Sequence, residues 1–243
     1  MQYIKVLATD STNTELKKRF REDNSMKNTC LVTDQQNKGR GQRKSKWQSK
    51  DGMNLTFSLL LTHLDLDITA HFKLSALVSL ALAQFIRHQI PKTTVSVKWP
   101  NDILADSQKI CGILIENFSR NHKIHSTIIG VGLNVNQTTF KNLPKAGSLK
   151  NFNDQNFYLD ELLVEVSEFI ETTVYEGLPL PLSQIIRDYE AHLFRINQIS
   201  TFQFPTGVIK KGIISGIQDD GKLLINFKGD LKAFALKEIK LLY

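Results

Sequence analysis

Apolar residues recur at helical spacing between His71 and Gln89 and predict one long amphipathic helix there. Similar spacing predicts a second helix whose apolar positions run from Leu159 to Ile170, and a third helix over Leu182–Phe194. The stripe of the first helix consists of Leu74, Leu77, Val78, Ala81, Leu82 and Phe85.

Short runs of β-branched and apolar residues predict strands around these helices. Thr12 with Glu15 three residues later has the pattern of a capping box, so a further helix is expected from Thr12 through Phe20. Strands and helices are therefore mixed along the first part of the chain. The predicted strands are Tyr3–Ala8, Cys30–Thr33, Leu55–Leu61, Val95–Trp99, Lys109–Asn117 and Thr127–Asn136.

The pattern changes after about Arg195, where short β-rich runs alternate with Gly, Pro and Asp turns. Asp220-Gly221 lies between Ile213–Ile217 and Leu223–Phe227, which predicts a hairpin. We therefore expect an α+β fold with a mixed sheet and helices over residues 1–194, followed by a small all-β domain over residues 195–243.

Composition is that of an ordinary soluble globular protein, with 41% apolar and 23% charged residues among 243. The sequence has no run of about 18 apolar residues, so no membrane span is expected. The first residues do not resemble a signal peptide, and Cys30 and Cys111 are the only cysteines. A cytoplasmic location is the resulting expectation.

Six of the basic residues that produce the net charge of +7 lie in one segment, residues 38–50, which has no acidic residue. Positive charge concentrated in a glycine-containing segment suits a compact anion such as a nucleotide phosphate. A solvated basic loop without a ligand would have the same composition, so charge alone leaves both interpretations open. The six residues are Lys38, Arg40, Arg43, Lys44, Lys46 and Lys50.

Gly39 and Gly41 flank Arg40 within that segment. Glycines let a backbone approach a ligand closely, and an arginine offers a forked donor to a carboxylate or phosphate. Trp47 adds a flat face for a purine or another apolar ring. The segment has neither the later glycine of a dinucleotide fingerprint nor the Gly-Lys-Ser/Thr of a P-loop, so Gly-Arg-Gly alone is a weak signal.

Two further segments place polar residues at the ends of predicted strands. Asn101 and Asp102 follow Pro100, which ends a strand, and an ordinary turn is the competing interpretation. Lys109 begins the next strand and is followed by Gly112, so it can point into a cleft. A lysine that extends to the surface along apolar neighbours is the alternative.

The segment Gly130–Asn136 alternates small or polar residues with apolar ones. In a strand this pattern places Asn134 and Asn136 on the face of Gly130 and Gly132, where the glycines leave room for a ligand. A bend in which asparagines bind backbone groups is the alternative.

Other residues that carry chemistry elsewhere have simpler interpretations here. Cys111 is expected to be a small buried residue and not a nucleophile. His122 and His125 lie in a polar turn without further ligands at zinc-site spacing, so we expect surface histidines and predict no metal site.

Taken together, these segments resemble the biotin protein ligase family, also called biotin–[acetyl-CoA carboxylase] ligases. The resemblance implies a catalytic domain like that of class II aminoacyl-tRNA synthetases and a small SH3-like β-barrel after it. Because the first motif begins at Ser11, an additional N-terminal DNA-binding domain and DNA binding are not expected. The matching segments are Asp10–Asn13, Gln36, Gly39–Gly41, Trp47, Lys98–Asp102, Lys109–Leu114 and Gly130–Asn136.

The resemblance also implies a two-step reaction with ATP and Mg²⁺. Biotin would be activated as biotinyl-5′-AMP and then transferred to a lysine of a biotin carboxyl carrier protein or domain, such as that of acetyl-CoA carboxylase. The expected partners are thus biotin, ATP and the carrier, without a membrane. The resemblance is compatible with a homodimer.

Residue roles follow from the resemblance in the same way. Gln42 departs from the family, in which many members have a second arginine after Gly-Arg-Gly. Asp102 would orient the incoming lysine or help to remove its proton, and the expected catalytic residues are Arg40, Lys109 and Asp102. The expected biotin-binding residues are Ser11, Thr12, Asn13, Gln36, Gly39, Arg40, Gly41, Gln42 and Lys109, and the expected ATP-binding residues are Arg43, Trp47, Asn101 and Asn134.

Two other functions compete with this interpretation. A lipoate or octanoyl ligase of the same fold would carry an Arg-Arg-x-x-Gly-Gly-Gly run or a catalytic cysteine motif, and the sequence has neither. A nucleic-acid-binding module would interleave stacking aromatic residues with its basic ones, but the basic segment has only Trp47.

Overall fold

Two β-sheets form the framework of the chain, for which a computed structural model describes residues 1–42 and 47–243. Within these residues the larger sheet has seven strands: β1 (Gln2–Thr9), β2 (Thr29–Gln36), β3 (Leu55–Asp67), β4 (Val95–Lys98), β5 (Asp102–Ala105), β6 (Gln108–Arg120) and β7 (Lys123–Leu133). Their order is β1-β2-β3-β7-β6-β5-β4. The first two strands are parallel and the other neighbours antiparallel, so the sheet is mixed, as predicted.

Helices cover both faces of this sheet, which explains the three consecutive leucines 59–61 in β3. Leu60 packs on the side of the first helix with Leu16 and Phe20. Leu59 and Leu61 point the other way, into the larger core. A strand buried on both faces can carry apolar residues at consecutive positions. The helices are α1 (Thr12–Glu22), α2 (His71–Gln89), α3 (Leu149–Asn153), α4 (Leu159–Gly177) and α5 (Leu182–Ala191).

The long central helix has the predicted bounds, whereas two short elements were missed and two local predictions are wrong. The short β5 and α3 were not predicted, and Asp102 begins β5 where a turn was expected. The capping box at Thr12 is also absent: Ser11 is the N-cap residue, and it makes no capping hydrogen bond through its side chain.

The C-terminal strands form a second, antiparallel sheet. Within the described residues it has five strands: β8 (Ile199–Gln203), β9 (Ile209–Ile217), β10 (Leu223–Phe227), β11 (Asp230–Phe234) and β12 (Lys240–Leu242). The order is β11-β10-β9-β8-β12, and the predicted hairpin at Asp220-Gly221 joins β9 to β10. The domain boundary near residue 194, the SH3-like barrel and the synthetase-like class stay predictions.

Side-chain contacts join the two sheets. The Trp99 indole N–H donates to the Gly221 carbonyl oxygen at 2.9 Å, and Glu190 accepts a 2.7 Å hydrogen bond from the Ile217 N–H. Gly221 has φ +83°, and the Phe72 ring fills the space that a side chain on this residue would need. The β9–β10 turn is therefore held against the helical side of the larger sheet.

One helical segment in the described part of the chain, Ile68–Gln89, is long and apolar enough by length and composition to cross a membrane. It comprises a 3-10 turn and α2. The structure buries 61% of its apolar window inside the protein, where it packs on α4 and α5. This is the position of a core helix.

Candidate active site

A cavity of about 500 Å³ lies between the start of α1, the middle strands of the larger sheet and the C-terminal sheet. Two predicted site residues, Gly39 and Asn134, do not line it, and Arg43 lies outside the described residues. The predicted residues that do line it are Ser11, Thr12, Asn13, Gln36, Arg40, Gly41, Gln42, Trp47, Asn101, Asp102 and Lys109.

The end of the cavity beside α1 is polar. There, Gln36 on β2 and Ser58 on β3 form hydrogen bonds with the first residues of the helix. The Thr12 N–H and hydroxyl both donate to Gln36 Oε1, at 3.0 and 3.3 Å. The Ser58 hydroxyl lies 2.8 Å from Thr12 Oγ1 and 2.6 Å from Asn13 Oδ1. We call Thr12, Asn13, Gln36 and Ser58 the polar cluster. Ser58 was missed, although a small polar residue in an apolar strand is a signal for such a contact.

Glycines on the neighbouring strands β6 and β7 make room for two side chains. Gly130 has no space for a Cβ because Asn13 Oδ1 occupies it, and at Gly132 the Trp47 indole takes the same space. Trp47 also lies against Gly112, whose Cβ would be 3.1 Å from the ring. The predicted room beside these glycines therefore exists. It is filled by Asn13 and Trp47, and not by the asparagines that follow β7.

A carboxylate and two lysines form the charged part of the cavity. Lys109 Nζ lies 2.6 Å from Asp102 Oδ1, and Lys98 Nζ lies 3.4 Å from Asp102 Oδ2. The Lys109 ammonium is also 5.5 Å from the centre of the Trp47 ring. The expectation that Lys109 points into a cleft is thus confirmed. Lys98, which also lines the cavity, was not predicted as a site residue.

The two predicted asparagines lie at different depths. Asn101 lines the cavity and donates from Nδ2 to the Ile113 carbonyl oxygen at 2.7 Å. Asn134 follows the end of β7, is 3% exposed, and donates to the Gly147 carbonyl oxygen at 2.9 Å. Its Oδ1 has no hydrogen-bond partner within the described residues. The proposed contacts of both residues with ATP stay predictions.

The Gly-Arg-Gly segment borders the cavity through Arg40 and Gly41. The Arg40 guanidinium donates to Thr14 Oγ1 at 2.6 Å, which ties the segment to α1. Gly39 receives a 3.0 Å hydrogen bond from the Trp47 N–H. A Cβ at Gly39 would lie 2.5 Å from the Trp47 carbonyl oxygen and 2.6 Å from Gln36 Nε2. The close approach of the backbone at Gly39 to the backbone at Trp47 therefore requires glycine.

The C-terminal sheet contributes residues that sequence reasoning did not identify. Leu236, Lys237 and Lys240 line the same cavity as the predicted residues. No motif marks them, because their position depends on how the two sheets dock. Together with Lys98, the two lysines add positive charge near Lys109.

Cys111 and two histidines have the exposure that the sequence predicts. Cys111 is buried, and burial raises the pKa of its thiol, which is unfavourable for a nucleophile. His122 and His125 are exposed. Within residues 1–42 and 47–243, no group of three or more His, Cys, Asp and Glu side chains is arranged to hold a metal ion.

Comparisons with known proteins identify the family of the chain. The model of the Biotin/lipoate A/B protein ligase family matches residues 5–134, which is more than half of the chain. The Bifunctional ligase/repressor BirA of Escherichia coli is 30% identical over 248 residues, a match that covers 96% of this chain and 71% of that protein. The Biotin--[acetyl-CoA-carboxylase] ligase of Mycobacterium tuberculosis is 28% identical, and the match covers 92% of this chain and 83% of that protein.

A solved structure is similar over nearly the whole length. The biotin protein ligase from Aquifex aeolicus in complex with biotin and ATP superposes with a TM-score of 0.79 at 25% identity, covering 99% of this chain and 98% of that one. The chain therefore belongs to the Biotin/lipoate A/B protein ligase family, and within it to the biotin protein ligases.

Proposed function

We propose that this enzyme activates biotin with ATP as biotinyl-5′-AMP and transfers the biotinyl group to a lysine of a biotin carboxyl carrier domain. One observation carries the proposal: a single cavity joins the polar cluster to the Lys109–Asp102–Lys98 group. Asn13 lies at Gly130 and Trp47 at Gly132. Asn13 and Trp47 therefore meet β7 at points about 7 Å apart, at about 3.4 Å per residue, and Lys109 lies 5.5 Å from the centre of the Trp47 ring.

The first step brings two anions together. An oxygen of the biotin carboxylate attacks the α-phosphorus of ATP, and the bond to pyrophosphate breaks. Fixed cations reduce the repulsion and stabilise the charge that develops on the phosphate oxygens. We assign this role to Lys109 and Arg40, with Lys98 and Lys240 toward the leaving pyrophosphate.

In the second step the acceptor amine attacks the acyl carbon, the bond to AMP breaks, and the nitrogen loses a proton. Asp102 was expected to orient that amine or to remove its proton. Because both of its carboxylate oxygens are bound to lysines, we favour orientation. The incoming ammonium would replace one of these lysines before it loses its proton.

Magnesium enters the proposal with ATP. Mg²⁺ usually keeps several waters and is held by one or two carboxylates together with substrate phosphates. Asp102 is the acidic side chain among the described cavity-lining residues, and it is already paired with lysines. The nucleotide phosphates therefore supply the main ligands, and we propose no ion bound by the protein alone.

Mass spectrometry of an acceptor tests the function directly. With ATP, Mg²⁺ and biotin, a biotin carboxyl carrier domain is expected to gain the mass of one biotinyl group, and its lysine-to-alanine variant none. Omitting ATP should abolish the gain. A gain with lipoate and not with biotin would instead identify a lipoate ligase.

We restrict the proposal to ligation. The repressor activity in the name of the E. coli relative belongs to that protein, and we propose no DNA binding here. The cytoplasmic location and the homodimer also stay predictions.

Trp99 offers a test of the contribution from the C-terminal sheet. Trp99→Phe keeps an aromatic ring but removes the 2.9 Å hydrogen bond to Gly221. We expect the KM for ATP to rise about tenfold, the typical effect of one hydrogen bond, while the KM for biotin stays constant. The reason is that Lys240 reaches the cavity from the docked sheet. Steady-state pyrophosphate release measures both constants.

A double-mutant cycle with Lys240→Ala provides the control. If Trp99 acts by positioning Lys240, the two changes together should raise the KM for ATP by less than the product of their separate effects. Independent, multiplicative effects would contradict this coupling, as would a rise in the KM for biotin with Trp99→Phe.

A further inference from the structure

A half-buried acidic residue behind the polar cluster has no role in the proposed reaction. Glu116 lies on β6, and its side chain is 24% exposed. Its carboxylate is contacted by residues from α1 and from the Gly-Arg-Gly segment, which flank the polar cluster. We call this end of the cavity the biotin end, because the sequence predicts that Thr12, Asn13 and Gln36 bind biotin.

We propose that Glu116 is a positioning residue that turns the oxygen of the Asn13 side-chain amide, and not its nitrogen, toward the ligand. The inference rests on the proposed function, because the ligand in question is the biotin ureido ring. With the Asn13 oxygen turned to the cavity, the site prefers a ligand that presents an N–H group to Asn13.

The Asn13 amide has a single orientation that satisfies its neighbours. Glu116 Oε2 lies 3.1 Å and the Leu114 carbonyl oxygen 3.3 Å from Asn13 Nδ2. Both groups only accept hydrogen bonds, so the amide nitrogen has to face them. Asn13 Oδ1 lies on the other side, 2.6 Å from the Ser58 hydroxyl and against Gly130.

This orientation determines what the cavity offers to a ligand. Both N–H groups of the Asn13 amide are used by Glu116 and Leu114, whereas Oδ1 receives at most one hydrogen bond from Ser58. A carbonyl oxygen has two lone pairs, so Oδ1 keeps one acceptor position. The free position fits an N–H of a ureido ring and does not fit a carbonyl or a dithiolane sulfur.

The charge of Glu116 makes the arrangement stable. Burial by itself would raise the pKa of the Glu116 carboxyl, but hydrogen bonds from Lys17 and Asn13 and the charges of Lys17 and Arg40 lower it overall. Lys17 Nζ lies 3.0 Å from Oε1, and the Arg40 guanidinium lies 3.9 Å from Oε2. The carboxylate thus stays ionised at neutral pH and also holds Arg40 near the ligand.

Substituting Glu116 by glutamine tests the proposal. A glutamine can place its own amide nitrogen toward Asn13, which leaves the Leu114 carbonyl oxygen as the remaining group that favours this orientation. We expect the Kd and KM for biotin to rise about 10- to 100-fold, the usual range for losing a hydrogen bond to a charged group. The KM for ATP should change less than about twofold. Glu15→Gln is the matched control, since Glu15 pairs with Arg19 on α1 at 2.8 Å and does not line the cavity.

A pH titration on the unsubstituted chain gives a second measurement. Biotin amide carries the ureido ring but no titratable carboxyl, so its Kd reports on the protein. Because the pKa of the Glu116 carboxyl is lowered, this group is protonated only at low pH. The Kd for biotin amide should therefore stay constant through neutral pH. It should rise as the pH falls below the ordinary glutamate pKa of about 4.3, and E116Q should not show this rise.

The outcomes separate this inference from the proposed function. An unsubstituted chain that neither binds biotin nor releases pyrophosphate with it would refute the function and the inference together. An active chain whose E116Q variant keeps the Kd for biotin, or whose Kd for biotin amide is the same at low and neutral pH, would refute the inference alone. The titration still decides the question if E116Q does not fold.

Discussion

Lys109→Ala is expected to slow biotin-dependent release of pyrophosphate by about 10²-fold or more, a typical loss when one such electrostatic group is removed. Bringing a carboxylate to a triphosphate gathers negative charge on the α-phosphate oxygens, so a fixed cation helps most in the transition state. Asp102 holds the Lys109 ammonium at 2.6 Å and Trp47 flanks it at 5.5 Å, so it is already aimed into the cavity. Single-turnover formation of biotinyl-AMP measures the effect.

Three comparisons make this result specific. Lys109→Arg should rescue only in part, because a planar guanidinium does not reproduce a compact ammonium. Transfer from supplied biotinyl-AMP should suffer less than its formation, because the phosphate is already bonded to the acyl group. Lys123→Ala is the control, since Lys123 forms an ion pair with Asp65 at 2.6 Å and does not line the cavity. A rate of adenylate formation near that of the unsubstituted chain would make Lys109 an ordinary surface lysine.

Gly130→Ala is expected to weaken biotin binding by about 10²-fold, because several hydrogen bonds of the polar cluster are lost together. The new Cβ would occupy the position of Asn13 Oδ1. Gly130 pairs with Ser58 on one side and Leu114 on the other, so the strand cannot move away. Asn13, which is 2% exposed, therefore has to leave its site. Isothermal titration with biotin measures the loss of affinity.

A second glycine on the same sheet gives a graded control. A Cβ at Gly112 would meet the Trp47 ring at 3.1 Å and would not touch Asn13. Gly112→Ala should therefore change the Kd for biotin much less than Gly130→Ala. Urea unfolding should show that Gly130→Ala also costs about 1–3 kcal/mol of the free energy of unfolding, as overpacking usually does. Equal biotin affinities of the two variants would contradict the assignment of Gly130 to the biotin end.

Local patterns were enough for most of the elements and for several of the segments that line the cavity. The bounds of α2 follow from the 3.6-residue period of its apolar stripe, which depends only on neighbours in sequence. The direction of Lys109 follows in the same way from its place at the start of a strand with a glycine after it. The short β5 was missed because four residues after a proline turn are too few for a periodic signal.

Only the tertiary structure decided which of these segments contact one another. Asn13 meets Glu116 across 103 residues, and Trp99 meets Gly221 across 122. Such pairs arise from strand register and from the docking of two sheets, and a single sequence records neither. The sequence thus contains the Asn13 amide, the Glu116 carboxylate and several lysines, but it does not show that they lie together. Packing decided that Glu116 accepts from the Asn13 amide nitrogen, because buried polar groups need hydrogen-bond partners. The docking of the two sheets decided that Lys240 lines the same cavity as Lys109.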